Sequence, residues 1–479
     1  MLKKLLLLSF VEGAAVMAAE LCGAKLLAPV FGSSLYVWAS VMGITLAALA
    51  SGYFFGGRVS EKKNNHSLNL FRLLSAAAMF LLIMPVISYY LVPRISYLPF
   101  LTGVVASTLA LLFPPIFFLG ASSPLFILVQ TSENEKAGKV SGTVYAVSTL
   151  GGIFATFLCG FYFIPEFGLN TCLLAFGAVL FVMNVFVFRV FKGLHFFLAI
   201  SFAYLNLQFT EKKKDFLLSS DSILGYLQVR DLMDGRKKPY RILTINDIIQ
   251  SEMDLQSKRS LSKYVTLIDT LLKNISVKQN ALVLGLGGGL TANLLVKKNY
   301  RTEGVELDAR ITKAARDFFY LDETVKTYDE DARYFLNHCD KKYQVILVDI
   351  FKGEEQPSHV LTLESLKKLK QNITDSSVIL INWHGYTSDA KGLGTAILNN
   401  TLQRAGYKVK LCSYSLNEAY RNILFVASLK ELGILPYELN EKLQEVTLCN
   451  TDNAPLLEKY NAKANKAWRL NYLRYYQGN

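Results

Sequence analysis

Glycines and carboxylates follow strand-like apolar segments in the second half of the chain. The segment 281–284 runs into a turn that contains Gly285, Gly287, Gly288 and Gly289. A glycine-rich turn after a first strand lets the backbone approach a ligand closely and points the N-terminus of the next helix at it. On its own, this motif is a weak indication of a nucleotide site.

Three carboxylates follow the turn along the chain. Glu306 lies 21 residues after Gly285 and ends a second strand-like segment, where an acid can bind the two ribose hydroxyls of an adenosyl group. Asp331 could accept a hydrogen bond from an adenine amino group. Asp349 ends the apolar run 345–348, and open α/β sheets bind ligands at the carboxyl ends of their strands. Each acid alone could be a solvated loop residue or a helix cap, but the set favours a ligand site.

The elements that would position these residues alternate between strand and helix. Strand-like segments lie at 281–286, 301–307, 343–348 and 378–382, with helical patterns between them. This alternation predicts a mostly parallel sheet with helices on both faces, a Rossmann-like domain that we place at 263–440. Further strand-like segments at 225–231 and 240–246, before a helical stretch at 261–273, predict a small β-domain at 211–262.

The first 210 residues have the composition of a membrane domain, an α-helical transmembrane bundle. Spanning helices need about 20 apolar residues each, and such runs lie near 5–28, 35–57, 70–92, 100–130, 140–163 and 171–191. Pro114, Pro115 and Pro124 predict that the fourth span is kinked or broken. A seventh stretch, 194–209, could be a tilted span or an interfacial helix.

Loop charges orient this bundle. The basic residues cluster in alternate loops: Lys3, Lys4, Arg58, Lys62, Lys63, Lys136, Lys139, Arg189 and Lys192. All of them face one side if the N-terminus is cytoplasmic. With six spans, the α/β part is then cytoplasmic too, whereas a seventh span would place it outside. We expect a multi-pass protein of a bacterial inner membrane, in contact with the lipid bilayer.

Composition also limits the partners. The net charge of +13 fits basic membrane loops, and no compact basic stripe suggests nucleic-acid binding. The six cysteines are scattered without metal-ligand spacing, so we expect neither a metal site nor a disulfide framework.

Several charged or aromatic residues allow two interpretations. Glu12, Glu20 and Lys25 fall in the first apolar segment, where they could form an internal ion pair or a polar path for a substrate. The basic, aromatic tail at 441–479, with Trp468, could lie on the membrane or bundle, or pack on its own domain. His384, after a strand, is interpreted as a satisfied loop histidine.

The region 222–385 resembles the spermidine synthases, which are polyamine aminopropyltransferases. The resemblance rests on the glycine turn and on these motifs: Ile249-Gln250-Ser251, Val305-Glu306-Leu307-Asp308, Asp331-Ala332, Leu347-Val348-Asp349 and Asn382-Trp383-His384-Gly385. With the motifs at 19–34 and 142–168, the whole chain resembles the bacterial subfamily in which such a domain follows a membrane bundle.

The resemblance implies a fold like that of the S-adenosylmethionine methyltransferases. It also implies transfer of an aminopropyl group from decarboxylated S-adenosylmethionine, or a close relative, to an amine such as putrescine. The cofactor-binding residues would be Gly285, Gly287, Gly289, Glu306, Asp331 and Gln250. Asp349, hydrogen-bonded to Tyr264, would be catalytic, because a carboxylate can hold a cationic amine and take its proton.

Two positions depart from the acidic pattern of that family. Gly288 stands where the family has an Asp in the turn, and Lys352 stands where it has a second Asp after the catalytic one. Two rival functions therefore remain. An S-adenosylmethionine-dependent methyltransferase would use the room at Gly288 for a methionine carboxylate. A transporter or sensor would bind a nucleoside or polyamine without turnover. A homodimer is a further expectation.

Overall fold

The chain folds into a helical unit and an α/β unit, which meet in sequence near residues 215–227. The structure is a computed structural model that describes residues 2–31, 35–61, 65–95, 98–131, 137–189, 216–222, 224–274, 279–351 and 356–477. The predicted seventh stretch, 194–209, and Lys352 lie outside these residues.

Six long helices make up the described part of the first unit. They are α1 (Leu2–Phe31), α2 (Leu35–Ser60), α3 (His66–Ile95), α4 (Phe100–Gln130), α5 (Ala137–Leu158) and α6 (Ile164–Phe188). Each is long and apolar enough to cross a membrane. The six predicted spans overlap these helices. They could be predicted because a spanning helix needs a long apolar run, which the sequence shows directly.

The irregular points of these helices differ from the prediction. α4 continues through Pro114, Pro115 and Pro124, so of the two predicted outcomes a break is wrong and a kink stays a prediction. Membrane helices tolerate proline when neighbouring groups satisfy the freed backbone. Irregular backbone lies in two other places: a π-helical turn spans Cys159–Phe163 between α5 and α6, and Gly168, inside α6, takes a φ of 81°. That conformation costs a glycine little.

Glu12 is buried where α1 crosses α5. A Cβ atom added at Gly13 would lie 1.9 Å from the carbonyl oxygen of Ser148, so the two backbones are in direct contact. Small residues permit this approach between membrane helices. Next to it, Ser148 donates a 2.9 Å hydrogen bond to the carboxyl group of Glu12. The structure therefore gives Glu12 a packing role, and a polar path through the bundle stays a prediction.

The α/β part opens with a small four-stranded sheet. Its strands are β1 (Leu218–Ser220), β2 (Leu227–Met233), β3 (Pro239–Ile245) and β4 (Ile248–Asp254), in the order β1-β2-β3-β4. Of these, β2 and β3 match predicted segments. Met253 on β4 is buried against Leu290 and Phe319, so this sheet packs on the larger domain.

A seven-stranded sheet forms the core of the larger domain. Its strands are β5 (Asn280–Leu284), β6 (Arg301–Glu306), β7 (Lys326–Asp329), β8 (Tyr343–Val348), β9 (Ile373–His384), β10 (Lys408–Cys412) and β11 (Asn422–Ser428). The order is β10-β11-β9-β8-β5-β6-β7, with β5 to β9 parallel and β10 and β11 antiparallel. This confirms the Rossmann-like fold.

Helices connect these strands and complete the domain. They are α7 (Lys263–Leu271), α8 (Leu290–Lys297), α9 (Ala309–Phe319), α10 (Ala332–His338), α11 (Leu363–Leu369), α12 (Asp389–Arg404) and α13 (Leu457–Gln477). The tail helix α13 packs against α12, where a Cβ atom added at Gly394 would lie 2.6 Å from the side-chain oxygen of Asn461. Of the two interpretations of the tail, packing on its own domain is therefore the one observed.

Candidate active site

The strand order places a crevice between β5 and β8. From β5 the chain continues to β6 and β7 on one side, and then returns to β8 on the other. Open α/β sheets bind their ligands at such a reversal. Gly285 ends β5 with a φ of 86°, and a Cβ atom there would lie 2.2 Å from the carbonyl oxygen of Asp349. The glycine turn and Asp349, predicted separately, thus meet at this point.

The carboxylate of Asp349 is fixed by two donors. The hydroxyl of Tyr264, on α7, donates to one oxygen at 2.7 Å. The side-chain amide of Asn382, on β9, donates to the other at 2.8 Å. Asn422, on β11, donates in turn to the oxygen of Asn382 at 3.0 Å. Three distant segments therefore orient one carboxylate, and sequence reasoning had identified only Tyr264 among its partners.

Burial shifts the pKa of both groups in the Tyr264–Asp349 pair. Burial raises the pKa of Asp349 above its ordinary value, although the hydrogen bonds from Asn382 and Tyr264 oppose the shift. Burial and then the charge of Asp349 raise the pKa of Tyr264 well above its ordinary value. Tyr264 therefore remains a proton donor in the hydrogen bond, while Asp349 becomes a stronger base than an exposed aspartate.

Removing either donor should shift the pH dependence of any reaction that needs the Asp349 carboxylate. Hydrogen bonds to a carboxylate favour its charged form, so losing one raises its pKa further. In Tyr264→Phe and Asn382→Ala, the acid limb of kcat/KM should therefore move to higher pH. Steady-state rates across pH measure this shift. An acid limb that stays in place or moves to lower pH would contradict the assignment.

Glu306 ends β6 directly beside the glycine turn. Its carboxylate accepts hydrogen bonds from the backbone N–H groups of Leu286 at 3.0 Å and Asp308 at 3.1 Å. Burial raises the pKa of Glu306, and these backbone donors oppose that shift. The structure thus places the predicted ribose-binding acid in contact with the predicted glycine-rich turn, and its contact with an adenosyl group stays a prediction.

The small sheet covers the other side of this turn. The N–H of Gly288 donates a 2.7 Å hydrogen bond to the hydroxyl of Ser251, on β4. A Cβ atom at Gly288 would lie 2.9 Å from the ring of Phe319 and 3.0 Å from Cβ of Ser251. An aspartate at position 288 would therefore require its surroundings to move.

Asp331 occupies the N-terminus of α10. One carboxylate oxygen accepts hydrogen bonds from the N–H groups of Arg333 and Tyr334, and the other lies 2.9 Å from Nε2 of His359. Burial acts to raise the pKa of Asp331, but the contact with His359 and the backbone donors outweigh it and hold the pKa below its ordinary value. Asp331 is thus a helix cap, and its contact with adenine stays a prediction.

A cavity of about 470 Å³ opens beside Asp349. Gln250, Glu252 and Tyr264 are among the residues that line it. Its aromatic lining consists of Tyr264, Phe351, His384, Tyr414, Tyr420 and Trp468. Gln250, predicted among the cofactor-binding residues, therefore lies in the cleft next to Asp349. Its contact with a cofactor is a prediction that the structure does not test.

His384 and Trp468 form one wall of this cavity. His384 is the last residue of β9, and its ring stacks on that of Trp468 with 4.8 Å between centroids. Phe351 lies 5.5 Å from the same histidine ring. His384 is therefore a buried strand-end residue at the site rather than a loop histidine. The tail helix contributes Trp468, which no sequence motif had indicated.

Arg421 is a buried cation in the lining whose charge is compensated. Its guanidinium forms two hydrogen bonds with Glu441, at 2.7 and 2.6 Å, and a third with the carbonyl of Gly385 at 2.8 Å. These pairings order the segment between β10 and β11 around the cavity. Among the residues that the structure describes, the carboxylates that line the cavity are those of Asp349 and Glu252.

The comparisons with known proteins give partial sequence matches to transferases. No protein-family model matches the chain. A polyamine aminopropyltransferase of Vibrio vulnificus is 31% identical over 136 residues, which are 27% of this chain and 46% of the relative. An N-terminal histidine N-methyltransferase of Emericella nidulans is 28% identical over 251 residues, which are 47% of this chain and 43% of the relative. The chain thus spans less than half the length of either relative.

Among solved structures, a probable spermidine synthase from Corynebacterium glutamicum has a TM-score of 0.39 and 20% identity, over 43% of this chain and 79% of that one. The sheet order, the glycine turn and Glu306 define the α/β part as a Rossmann-like domain of the adenosyl-binding type. Within that class, the sequence similarities confirm the resemblance to the spermidine synthase family, with six apolar helices as an additional N-terminal part.

Proposed function

We propose that this protein is a membrane-anchored aminopropyltransferase that uses decarboxylated S-adenosylmethionine and an amine acceptor. The observation that carries the proposal is the position of Asp349. It lies at the reversal of the strand order, touches the glycine turn, faces a cavity and is held by Tyr264 and Asn382. A relative named polyamine aminopropyltransferase supports the same activity.

The residues present suit this chemistry. The cofactor supplies a carbon next to a sulfonium, which an amine can attack as the carbon–sulfur bond breaks and a thioether leaves. Glu306 and the glycine turn would hold the adenosyl part beside β5 and β6. Asp349 would bind the protonated amine, orient it and take its proton, so that the neutral nitrogen attacks. Tyr264, which stays protonated, would keep the carboxylate aligned.

A methyltransferase is the second candidate, favoured by the similarity to an N-terminal histidine N-methyltransferase. Both reactions would use the same turn and the same Glu306. They differ in the group transferred and in the cofactor's carboxylate. Phe319 and Ser251 crowd Gly288, which reduces the space at the turn that the methionine carboxylate of the complete cofactor would need.

One experiment separates these functions. Purified full-length protein is incubated with decarboxylated or complete S-adenosylmethionine and a panel of amines, and products are identified by mass spectrometry. An aminopropyl adduct formed with the decarboxylated cofactor supports the proposal. A methyl adduct formed with the complete cofactor replaces it with the methyltransferase. Nucleoside or amine binding without any product would leave the non-catalytic transporter or sensor.

We further propose that the α/β part faces the cytoplasm, because adenosyl cofactors are made there and the basic loops favour that side. A reporter fused after Asn479 should therefore be active only if it folds in the cytoplasm, and a cysteine introduced there should react with a membrane-impermeant reagent only after lysis. A second reporter after Arg94, in a loop predicted on the opposite side, is the matched control. Labelling of the tail from outside in intact cells would refute six spans.

A further inference from the structure

Asp331 lies at the same edge of the large sheet as Glu306. On the parallel strands β6 and β7, Glu306 is opposite Asp329, and the N–H of Glu330 donates a 3.0 Å hydrogen bond to the carbonyl of Glu306. Asp331 follows directly, beyond the carboxyl end of β7. Sheets of this kind bind their ligands at the carboxyl ends of the strands. The acid predicted to bind ribose and the acid predicted to bind adenine therefore come from adjacent strands.

The hydrogen-bonding capacity of the Asp331 carboxylate is nearly filled. An ionised carboxylate only accepts hydrogen bonds and offers about four lone-pair positions. Oδ1 accepts from the backbone N–H groups of Arg333 at 2.9 Å and Tyr334 at 3.0 Å. Oδ2 lies 2.9 Å from Nε2 of His359. The two backbone groups orient the carboxylate without His359, so a further donor would have to bind at Oδ2, which the imidazole already contacts.

The contact with His359 also makes this oxygen a weaker acceptor. Burial alone would raise the pKa of Asp331, but the contact with His359 and the backbone donors hold the pKa below its ordinary value. The carboxylate is therefore charged at neutral pH, and Nε2 of His359 must be the donor in this contact. A donor that already stabilises the charge leaves less of it for the next donor.

The backbone at His359 is fixed by distant parts of the chain. The side-chain amide of Asn450 donates to the carbonyls of Ser358 at 3.0 Å and Leu361 at 2.9 Å, on either side of His359. The guanidinium of Arg333 donates to the carbonyl of His359 itself at 3.0 Å. The main chain that carries the imidazole is therefore held in place whether or not the ring contacts Asp331.

The side chain of His359 is much less confined than its backbone. Its exposed fraction is 50%, and that of the Asp331 side chain is 36%. Exposed pairs of this kind contribute little to stability. The imidazole can therefore leave Oδ2 by rotating toward solvent, at small cost and without movement of the segment that bears it.

We propose that His359 is a positioning residue that acts through Asp331: its imidazole competes with the amino group of the adenosyl ligand for Oδ2 and thereby limits adenosyl affinity. This inference rests on the proposed function and on the predicted contact between Asp331 and adenine. The thioether product, methylthioadenosine, carries the same amino group as the cofactor. His359 thus favours release of this product after the aminopropyl group has been transferred.

The test compares methylthioadenosine with its 6-deamino analogue, which has hydrogen in place of the amino group. Affinities of both are measured by calorimetry for the full-length parent, His359→Ala, His359→Gln and His338→Ala. The glutamine amide can place a donor where Nε2 of the histidine lies. His338 is exposed at the other end of α10, so its variant removes a histidine elsewhere on the same domain.

His359→Ala should bind methylthioadenosine about two- to fivefold more tightly, the range expected when an exposed pair no longer has to be broken. Affinity for the deamino analogue should not change, because this ligand does not donate to Oδ2. His359→Gln and His338→Ala should resemble the parent with both nucleosides. In an Asp331→Asn background, His359→Ala should have no effect, since the competition needs the carboxylate.

Turnover with decarboxylated S-adenosylmethionine and amines, measured alongside, separates failure of the inference from failure of the proposed function. If the parent forms an aminopropyl product, but His359→Ala weakens or does not change methylthioadenosine binding, or alters both nucleosides alike, His359 does not compete for Asp331 and only this inference is overturned. If the parent binds neither nucleoside and forms no product, the proposed function fails and the inference fails with it.

Discussion

Replacing Asp349 by Asn is expected to remove nearly all turnover while nucleoside binding is almost unchanged. Asn preserves the shape of the side chain but cannot accept a proton from the acceptor amine. General-base catalysis commonly contributes about 10²–10⁴-fold to the rate, and kcat should fall by that order. Methylthioadenosine should still bind nearly as in the parent, because Glu306 and the glycine turn do not depend on the Asp349 charge. Calorimetry and single-turnover rates measure the two effects.

A structural role for Asp349 would give a different result. If its carboxylate mainly holds Tyr264 and Asn382 together, the variant should lose stability and melt at a lower temperature. Asp375→Asn, at an exposed position on the same domain, is the matched control and should keep parental rates and melting temperature. A stable Asp349→Asn protein with parental turnover would rule out Asp349 as the base.

The strands that carry the site could be predicted where their sequences are continuously apolar. β8, Tyr343–Val348, coincides with the predicted segment, because a central parallel strand is buried on both faces and reads as an unbroken apolar run. β4 was not predicted, because its sequence lacks a regular alternation: Gln250, Ser251 and Glu252 are three polar residues in succession. In the folded chain its side chains nevertheless alternate, since Met253 is buried in the core whereas Gln250 and Glu252 line the cavity.

The contacts between distant segments could not be predicted from the sequence. Glycine turns and strand-end carboxylates are local patterns, so Gly285, Glu306 and Asp349 could be selected from spacing alone. Asn382, on β9, bonds to Asp349, and Asn422, on β11, bonds to Asn382. The stacked rings of His384 and Trp468 are 84 positions apart. No periodicity links such residues; only the folded sheet and the docking of α13 bring them together.

Glu306→Gln is expected to weaken binding of the nucleoside by tens-fold or more. The carboxylate already accepts hydrogen bonds from Leu286 and Asp308, and ribose hydroxyls would add further donors. A glutamine side chain replaces one acceptor oxygen with an NH₂ group, which would face donors. Losing a hydrogen bond to a charged group typically costs about 1.5–3 kcal/mol. Calorimetry with methylthioadenosine gives the change directly.

The raised pKa of Glu306 adds a pH dependence to this prediction. The charged carboxylate is the form that accepts from hydroxyls, so nucleoside affinity in the parent should fall as pH decreases through the raised pKa. The Gln variant has no such titration, and its affinity should be nearly constant over the same range. Parallel pH profiles in parent and variant would show that Glu306 does not contact the nucleoside.

Asp331→Asn tests the other half of the predicted adenosyl site. Asn caps a helix about as well as Asp, so the fold of α10 should be retained while the charge that holds His359 is lost. If Asp331 also accepts from the adenine amino group, this variant should bind methylthioadenosine tens-fold more weakly. Weaker binding in Glu306→Gln alone would limit Asp331 to its role as a cap. Unchanged affinity in both variants would mean that the nucleoside binds elsewhere, because neither carboxylate of the predicted adenosyl site would then contribute to its binding.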